Sequence, residues 1–214
     1  MLQLRLGLQI GKVGLQIQLV NCTLILIIGI IALIINNIFG SNLMFISQNF
    51  PNTFVNVPDF RFTFDVVTVP GTATAKEIMA LNPDGIMLSN GPGDPAENVG
   101  IIAEIKKLVK TGIPIFGICL GHQLLALASG AKTMKLKYGH RGANQPVKDL
   151  STGRVYISSQ NHGYAVKNET LPAGAVLGFV NTNDGTCEGI TYTKFPAFSV
   201  QFHPEACSGP LDTS

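Results

Sequence analysis

Hydrophobic and polar positions divide the chain into two unlike parts. No charged residue lies between Lys12 and Asp59, whereas charges are distributed normally from Asp59 onward. The first part contains a 17-residue apolar run at 19–35 with one strongly polar interruption. A membrane-spanning helix needs about 20 apolar residues, so this run is at the short end of that range. We therefore expect an atypical apolar leader over residues 1–60 and a globular domain over residues 61–214.

Two interpretations of the leader remain open. The apolar run is either a membrane anchor or an isoleucine-rich segment that was never selected to fold and is prone to aggregation. It lies too far from the N-terminus, and lacks the small-residue cleavage site, to be a good signal peptide. We assign no function to the leader.

From Asp65 onward the pattern predicts strands that alternate with helices. Short apolar runs predict the strands, and apolar residues recurring every three or four positions predict the helices. This alternation is typical of a mostly parallel sheet covered by helices on both faces. After Ala131, short alternating stretches predict further strands, largely antiparallel, along one edge. The predicted strands are Asp65–Val69, Asp84–Ser89 and Ile113–Ile118, and the predicted helices are Ala75–Leu81, Ala96–Lys110 and Leu120–Ser129.

Composition and charge exclude several classes of protein. Hydrophobic residues make up 46% of the chain and charged residues 13%, but the apolar excess lies in the leader. The net charge of +2 is too small to suggest nucleic-acid binding. The four cysteines form no CxxC pair, so neither a zinc site nor a disulfide framework is indicated, and no other metal site is predicted. Unpaired thiols favour a reducing compartment.

One cysteine stands at a predicted strand-to-helix corner. The stretch Gly117-Ile118-Cys119-Leu120-Gly121 has the form G-x-C-x-G and resembles the nucleophile elbow G-x-S-x-G. Such a corner presents its side chain at the carboxyl end of the sheet, and the helix N-terminus favours a thiolate. The amide N–H of Leu120 would be free to bind an oxyanion. The alternative is a buried structural cysteine, and a partner base must decide between the two.

The stretch "SVQFHPEA" offers that base. Residues i and i+2 of an extended chain point to the same side, so Glu205 can lie beside the imidazole of His203. The carboxylate would then orient the ring and stabilise its protonated form. The alternative is a His-Pro-Glu turn at the surface. Together with the elbow, His203 and Glu205 favour a Cys-His-Glu catalytic triad with Cys119.

The other three histidines have simpler explanations. His122 falls in the first turn of the elbow helix, where we expect local hydrogen bonds. His140 is flanked by glycines and is predicted to lie in a turn. His162, in "SQNHGY", is predicted to lie in a loop that could line the pocket.

Longer stretches carry a family resemblance. "GICLGHQLLALASGAKT" together with "QFHPEA" resembles the class I, or triad, glutamine amidotransferases. Among these, "NPDGIMLSNGPGDP", "KYGHRGANQPVKDL", "SQNHGYAV" and "DGTCEGI" resemble the small subunit of carbamoyl-phosphate synthase. The match to anthranilate, GMP and CTP synthases is weaker in the second and third of these stretches. The resemblance implies a flavodoxin-like α/β fold, with a central mostly parallel sheet, helices on both faces and extra antiparallel edge strands.

The resemblance also implies a reaction and a set of site residues. Cys119 would attack the carboxamide of glutamine, and His203 would protonate the departing ammonia and then activate water. Amide N–H groups of Leu120 and Gly91 would hold the oxyanion. The loop "NGPGDP" is otherwise an ordinary turn before a helix, which Asp94 would cap. By family likeness the residues that contact glutamine are Gly91, Gly93, Leu120, Gln123, Asn161, Gly163 and Tyr164.

The implied partner is a large synthetase subunit in the cytoplasm. Ammonia would pass to that subunit, where bicarbonate and ATP yield carbamoyl phosphate for arginine and pyrimidine biosynthesis. This chain resembles no ATP site, so ATP and Mg²⁺ would belong to the partner and no cofactor is expected here. Against the family pattern, residues 61–214 are expected to lack the N-terminal domain and the last helix of the small subunit. The alternatives are a glutaminase module of another synthase and an inactive fragment with a membrane anchor.

Overall fold

The computed structural model describes the strand segments Leu43–Gln48, Phe54–Val57 and Phe60–Thr63 and the continuous chain 65–206. The first three are β1, β2 and β3, and the continuous part holds β4 to β11 and three α-helices. The later strands are β4 (Asp65–Pro70), β5 (Gly85–Leu88), β6 (Ile115–Ile118), β7 (Thr133–Asp149), β8 (Val155–Val166), β9 (Ala175–Asn181), β10 (Cys187–Tyr192) and β11 (Ala197–Val200). The helices are α1 (Ala75–Met79), α2 (Val99–Leu108) and α3 (Leu120–Ser129).

Nine of these strands form one mixed sheet in the order β4-β1-β5-β6-β11-β10-β9-β7-β8. At its centre, β6 lies between β5 and β11 and is parallel to both, whereas the flanking pairs are antiparallel. The remaining two strands, β2 and β3, form a separate antiparallel pair. The predicted flavodoxin-like α/β fold with extra antiparallel edge strands is confirmed. β1 lies inside the predicted leader, yet it takes a place in the sheet between β4 and β5.

Local sequence explains where the helices begin and end. Thr74 and Glu77 form a reciprocal capping box at the start of α1. Asp94 caps a 3₁₀ turn rather than α2, which begins later than predicted, at Val99. α3 has the predicted bounds and ends at Gly130 in the left-handed conformation that favours glycine.

The three helices share one apolar core with the centre of the sheet. Fully buried side chains from α1, α2 and α3 join those of β5, β6 and β10 in this cluster. A second, smaller cluster contains Ile118, Cys119, Val147, Val200 and Phe202. The end of β6 therefore lies where the two clusters meet, and this fixes the corner that carries Cys119.

The structure does not test whether the leader spans a membrane. The apolar run 19–35 is not among the described residues. Over the part of the chain that is described, no helix combines the length and apolar character needed to cross a bilayer.

Candidate active site

Cys119 occupies a strained corner between β6 and α3. Its backbone has φ 52° and ψ −102°, a conformation that L-residues rarely adopt. A Cβ on Gly117 would lie 2.8 Å from the carbonyl carbon and oxygen of Gly121. A Cβ on Gly121 would lie 2.2 Å from the carbonyl oxygen of Leu88 on β5. Glycine is therefore required on both sides of the cysteine, which explains the G-x-C-x-G pattern in steric terms.

The backbone around Cys119 is held from both sides. Its N–H donates to the carbonyl of Val200 on β11 at 2.9 Å, and its own carbonyl accepts from the Gln123 N–H at 3.2 Å. The residue is 3% exposed and stands at the N-cap of α3. Cys119 therefore stands at the positive end of the helix dipole. Leu120 follows at the first helical position, whose N–H has no partner within a helix.

The pairing of β11 with β6 brings the predicted base to the thiol. Ser199 and Val200 stand opposite Gly117 and Ile118 in parallel register, so the chain leaving β11 passes beside the corner. His203 is then fixed by its N–H, which donates to the carbonyl of Ser159 on β8 at 2.9 Å. The thiol of Cys119 is close enough to the imidazole of His203 to raise its pKa.

Glu205 holds the far side of the His203 ring. Its Oε1 lies 2.8 Å from Nδ1 of His203, and both side chains are largely buried. Burial of His203 favours the neutral ring, but hydrogen bonds and charge interactions with Cys119 and Glu205 outweigh it and raise its pKa to about 10. The thiol, imidazole and carboxylate thus lie in series, and the imidazole is held by its hydrogen bond with the carboxylate.

Two of the predicted glutamine-binding residues contact each other directly. The Gln123 carboxamide, on α3, donates to the backbone carbonyl of Tyr164 on β8 at 2.8 Å and to Oε1 of Gln201 at 2.8 Å. Burial, together with the neighbouring Asp94 carboxylate, raises the pKa of the Tyr164 phenol. α3, β8 and the loop after β5 are therefore linked around one site.

The other predicted binding residues lie on the same three elements. Leu120 begins α3 and is buried, whereas Asn161 on β8 is exposed. The remaining predicted residues are Gly91 and Gly93 in the loop between β5 and the 3₁₀ turn Pro95–Glu97, and Gly163 on β8. Their contacts with glutamine stay predictions, as do the catalytic roles of Cys119, His203 and Glu205.

The structure corrects the expectations for the three other histidines. His122 makes no merely local bond: it is fully buried, and its Nδ1 lies 2.8 Å from Oγ of Ser199 on β11. Burial lowers its pKa to about 3. His140 is not in a turn and His162 is not in a loop, because they stand opposite each other on β7 and β8. Gly139 and Gly142, which suggested the turn, have positive φ within a long irregular strand.

Sequence reasoning also missed several buried polar side chains around the site. Gln160, Glu188 and Gln201 are each at most 3% exposed, and all three lie on or next to strands of the sheet. Gln201 immediately precedes Phe202 and His203 in an alternating stretch, and this alternation was the signal in the sequence that could have indicated its burial. The donor atoms of His140, His162 and Glu188 lie within 4.8 Å of one another and could hold a metal ion. The expectation of no metal therefore stays a prediction.

Comparisons with known proteins agree on one family. The family model for glutamine amidotransferase class-I matches residues 50–214. The carbamoyl phosphate synthase small chain of Akkermansia muciniphila is 56% identical over 149 residues, which cover 70% of this chain and 40% of the relative. The protein of the same name from Bacillus cereus is 58% identical over 151 residues, covering 70% and 41%. This chain thus spans about two fifths of the length of these relatives.

A solved structure supports the fold. It is described as a GMP synthase component from Thermoplasma acidophilum, with a TM-score of 0.58 and 25% sequence identity. The similarity covers 68% of this chain and 74% of that one.

Proposed function

Because the chain belongs to the class-I glutamine amidotransferase family, we propose that it hydrolyses glutamine to glutamate and ammonia at Cys119. The observation that supports this most directly is the series Cys119, His203 and Glu205 at the strained corner, in which Glu205 is hydrogen-bonded to the His203 ring and Cys119 raises the pKa of that ring. A buried structural cysteine would need neither the positive φ nor an imidazole bonded to a carboxylate.

In the proposed reaction, Cys119 sulfur attacks the carboxamide carbon of glutamine. The N–H groups of Leu120 and Gly91 stabilise the oxyanion that forms. His203, as the imidazolium held by Glu205, gives a proton to the departing nitrogen, so that ammonia leaves and a thioester remains. His203 then takes a proton from water, which attacks the thioester; the bond to sulfur breaks, glutamate is released, and Cys119 and the imidazolium of His203 are regenerated. Gln123 and the β8 segment 161–164 hold the rest of the substrate.

Glutamate release on adding glutamine tests this proposal. We expect Cys119→Ser to abolish release and to prevent labelling by a glutamine-like electrophile, with the labelled peptide identified by mass spectrometry. Cys187→Ser is the matched control, because Cys187 is the other buried thiol within the described chain and burial raises its pKa to about 12. Full activity of Cys119→Ser would refute the assignment of the nucleophile.

We further propose that the ammonia serves a large synthetase subunit that makes carbamoyl phosphate. The support is the 56% and 58% identity to two proteins named carbamoyl phosphate synthase small chain. ATP and Mg²⁺ would then be used by the large subunit, and the cytoplasm would be the site of the reaction. The solved relative described as a GMP synthase component is less similar, at 25% identity, and supports the shared fold.

Reconstitution with candidate partners tests the acceptor. We expect a bacterial carbamoyl-phosphate synthase large subunit to bind the chain, accelerate glutamate release and yield carbamoyl phosphate from glutamine. Binding only to the synthetase part of a GMP or anthranilate enzyme would replace this acceptor while leaving the glutaminase proposal intact. Absence of glutamate release with every partner, together with unlabelled Cys119, would favour an inactive fragment.

A further inference from the structure

A group of ionisable side chains, of which only Asp184 is exposed, lies on β7, β8, β10 and the turn before β10 and has no part in the triad. We call His140, His162, Asp184 and Glu188 the histidine cluster. His140 is its centre: Nε2 lies 2.9 Å from Oδ2 of Asp184, and Nδ1 lies 3.3 Å from Oε1 of Glu188. The same Nδ1 lies 3.2 Å from Nε2 of His162. Both nitrogens of His140 therefore face acceptors.

The two rings hold opposite protonation states. Hydrogen bonds with Glu188 and Asp184 raise the pKa of His140 to about 9 against the effect of burial, so this ring is a cation. Burial, assisted by the charges of His140 and His203, lowers the pKa of His162 to about 4. His162 is therefore neutral and carries one N–H; because the Tyr164 carbonyl can only accept, that N–H is on Nδ1, and Nε2 is the nitrogen that can accept from His140. The Gln160 Oε1 lies 2.9 Å from the same nitrogen, and because an oxygen cannot donate to it, this arrangement requires the Gln160 carboxamide to present its NH₂ group there instead.

His162 connects the histidine cluster to the segment of β8 that is proposed to bind glutamine. Its Nδ1 donates to the backbone carbonyl of Tyr164 at 2.8 Å, and that carbonyl also accepts from the Gln123 carboxamide at 2.8 Å. One peptide group is thus fixed between the cluster and α3. The fixed segment includes Asn161, Gly163 and Tyr164, which the proposed function assigns to glutamine binding.

Side-chain bonds matter here because the strand pairing is interrupted. Residues 140–142 of β7 pair with residues 160–162 of β8, but register shifts lie on both sides of this short stretch. The chains also approach closely at Gly139, where a Cβ would lie 2.3 Å from the carbonyl oxygen of His162. A continuous ladder of backbone hydrogen bonds would fix the position of β8 by itself. Because this ladder is interrupted, the local position of β8 depends on the side-chain hydrogen bonds of the histidine cluster.

We infer that His140, held by Asp184 and Glu188, is a positioning residue that fixes His162 and, through the Tyr164 carbonyl, the segment that binds glutamine. This inference rests on the proposed function. His140 touches no reacting atom in this scheme, so its loss should weaken substrate binding far more than the chemical step.

Steady-state kinetics of glutamine hydrolysis by the full chain test the inference. We expect His140→Ala to raise KM for glutamine about tenfold, the effect of losing one charge-assisted hydrogen bond, and to change kcat by less than about threefold. His140→Asn keeps a donor near the Nδ1 position and should recover most of the affinity. His140→Gln keeps a donor near the Nε2 position, toward Asp184, and should recover little. Lys135→Ala, an exposed position on β7, is the matched control.

Asp184→Asn provides a milder test if His140→Ala does not fold, because Asp184 is 44% exposed on its side chain. We expect it to raise KM by less than His140→Ala does. Unchanged KM in both variants, equal recovery by His140→Asn and His140→Gln, or a kcat loss that dominates would each overturn the inference. One equivalent of zinc in the purified protein, lost in His140→Ala, would also overturn it, because the three donors would then bind metal.

Nitrogen-15 NMR of the histidine rings separates this inference from the proposed function. In the unliganded protein we expect His162 to carry its proton on Nδ1 and to titrate at a higher pH in His140→Ala, once the neighbouring cation is gone. If the unaltered chain releases no glutamate, the proposed function fails and this spectrum alone decides the positioning role. An unchanged His162 spectrum in His140→Ala would refute it.

Discussion

Replacing Gly121 by alanine should break the elbow, and the chain offers a matched control. Gly121 is the second residue of α3, and Gly100 is the second residue of α2. Both helices have ten residues, and neither glycine has a positive φ. A Cβ on Gly100 meets no atom within 4 Å, whereas one on Gly121 overlaps the backbone of Leu88. The same chemical change is therefore made in the same helical position, with and without a clash.

The size of the effect follows from the overlap. The added carbon would lie 2.2 Å from the Leu88 carbonyl oxygen and 2.7 Å from the carbonyl carbon. Optimal non-bonded contacts are at about 3.5 Å, so one backbone must move by about 1 Å. The overlapping atoms belong to the backbone of Leu88, which is buried on a central strand and cannot move away from the added carbon. Overpacking of this kind costs about 1–3 kcal/mol or more, against a helix-propensity gain of about 0.5–1 kcal/mol.

We therefore expect Gly121→Ala to lower the free energy of unfolding by about 2 kcal/mol and Gly100→Ala to raise it by about 0.5 kcal/mol. The clash also separates the corner from the loop after β5, which carries Gly91. Loss of one oxyanion donor reduces kcat by about 100-fold or more. Urea unfolding and glutamate release measure the two effects. Equal stabilities for the two variants, or full activity of Gly121→Ala, would refute the steric explanation of the motif.

Three further predictions use other parts of the structure. Thr74→Ala removes the capping box of α1 and should cost about 1 kcal/mol in urea unfolding without changing glutamate release. Ser199→Ala leaves the buried His122 ring without its Oγ partner and should cost about 1–3 kcal/mol by the same measurement; an unchanged midpoint would contradict this. Because the pKa of His203 is raised to about 10, its stabilising contribution is complete below pH 6.5 and is lost as the pH rises through 10. Glu205→Gln should weaken this loss in urea titrations at pH 6.5 and 10, and an identical pH dependence would count against the ion pair.

The elbow could be predicted from sequence because its causes are local. Two glycines around Cys119 and a helical pattern after it are sufficient to place α3 at its observed bounds. The sequence was less informative about where α2 begins. Asp94 and Pro95 belong to a separate 3₁₀ turn that precedes the helix. A periodic pattern cannot distinguish such a turn from the first turn of a helix.

The histidine cluster could not be predicted because its causes are distant in sequence. Glycines on both sides of His140 suggest a turn, and only the pairing of β7 with β8 shows that they accommodate irregular strand contacts. The local sequence gave no sign that the Glu188 side chain is fully buried. Its position depends on His140, 48 residues earlier, and no local pattern carries that information.

The pairing of β6 with β11 determines when the site can form during synthesis. Cys119 precedes His203 by 84 residues, and the strands β7 to β11 are made between them. At about 5–20 residues per second, the ribosome needs roughly 4–17 s to make this interval. A nascent chain therefore carries its thiol for seconds before any imidazole can reach it from β11. Under the proposed function, such a chain holds the nucleophile without its base, so ammonia release should begin only after β11 has paired with β6.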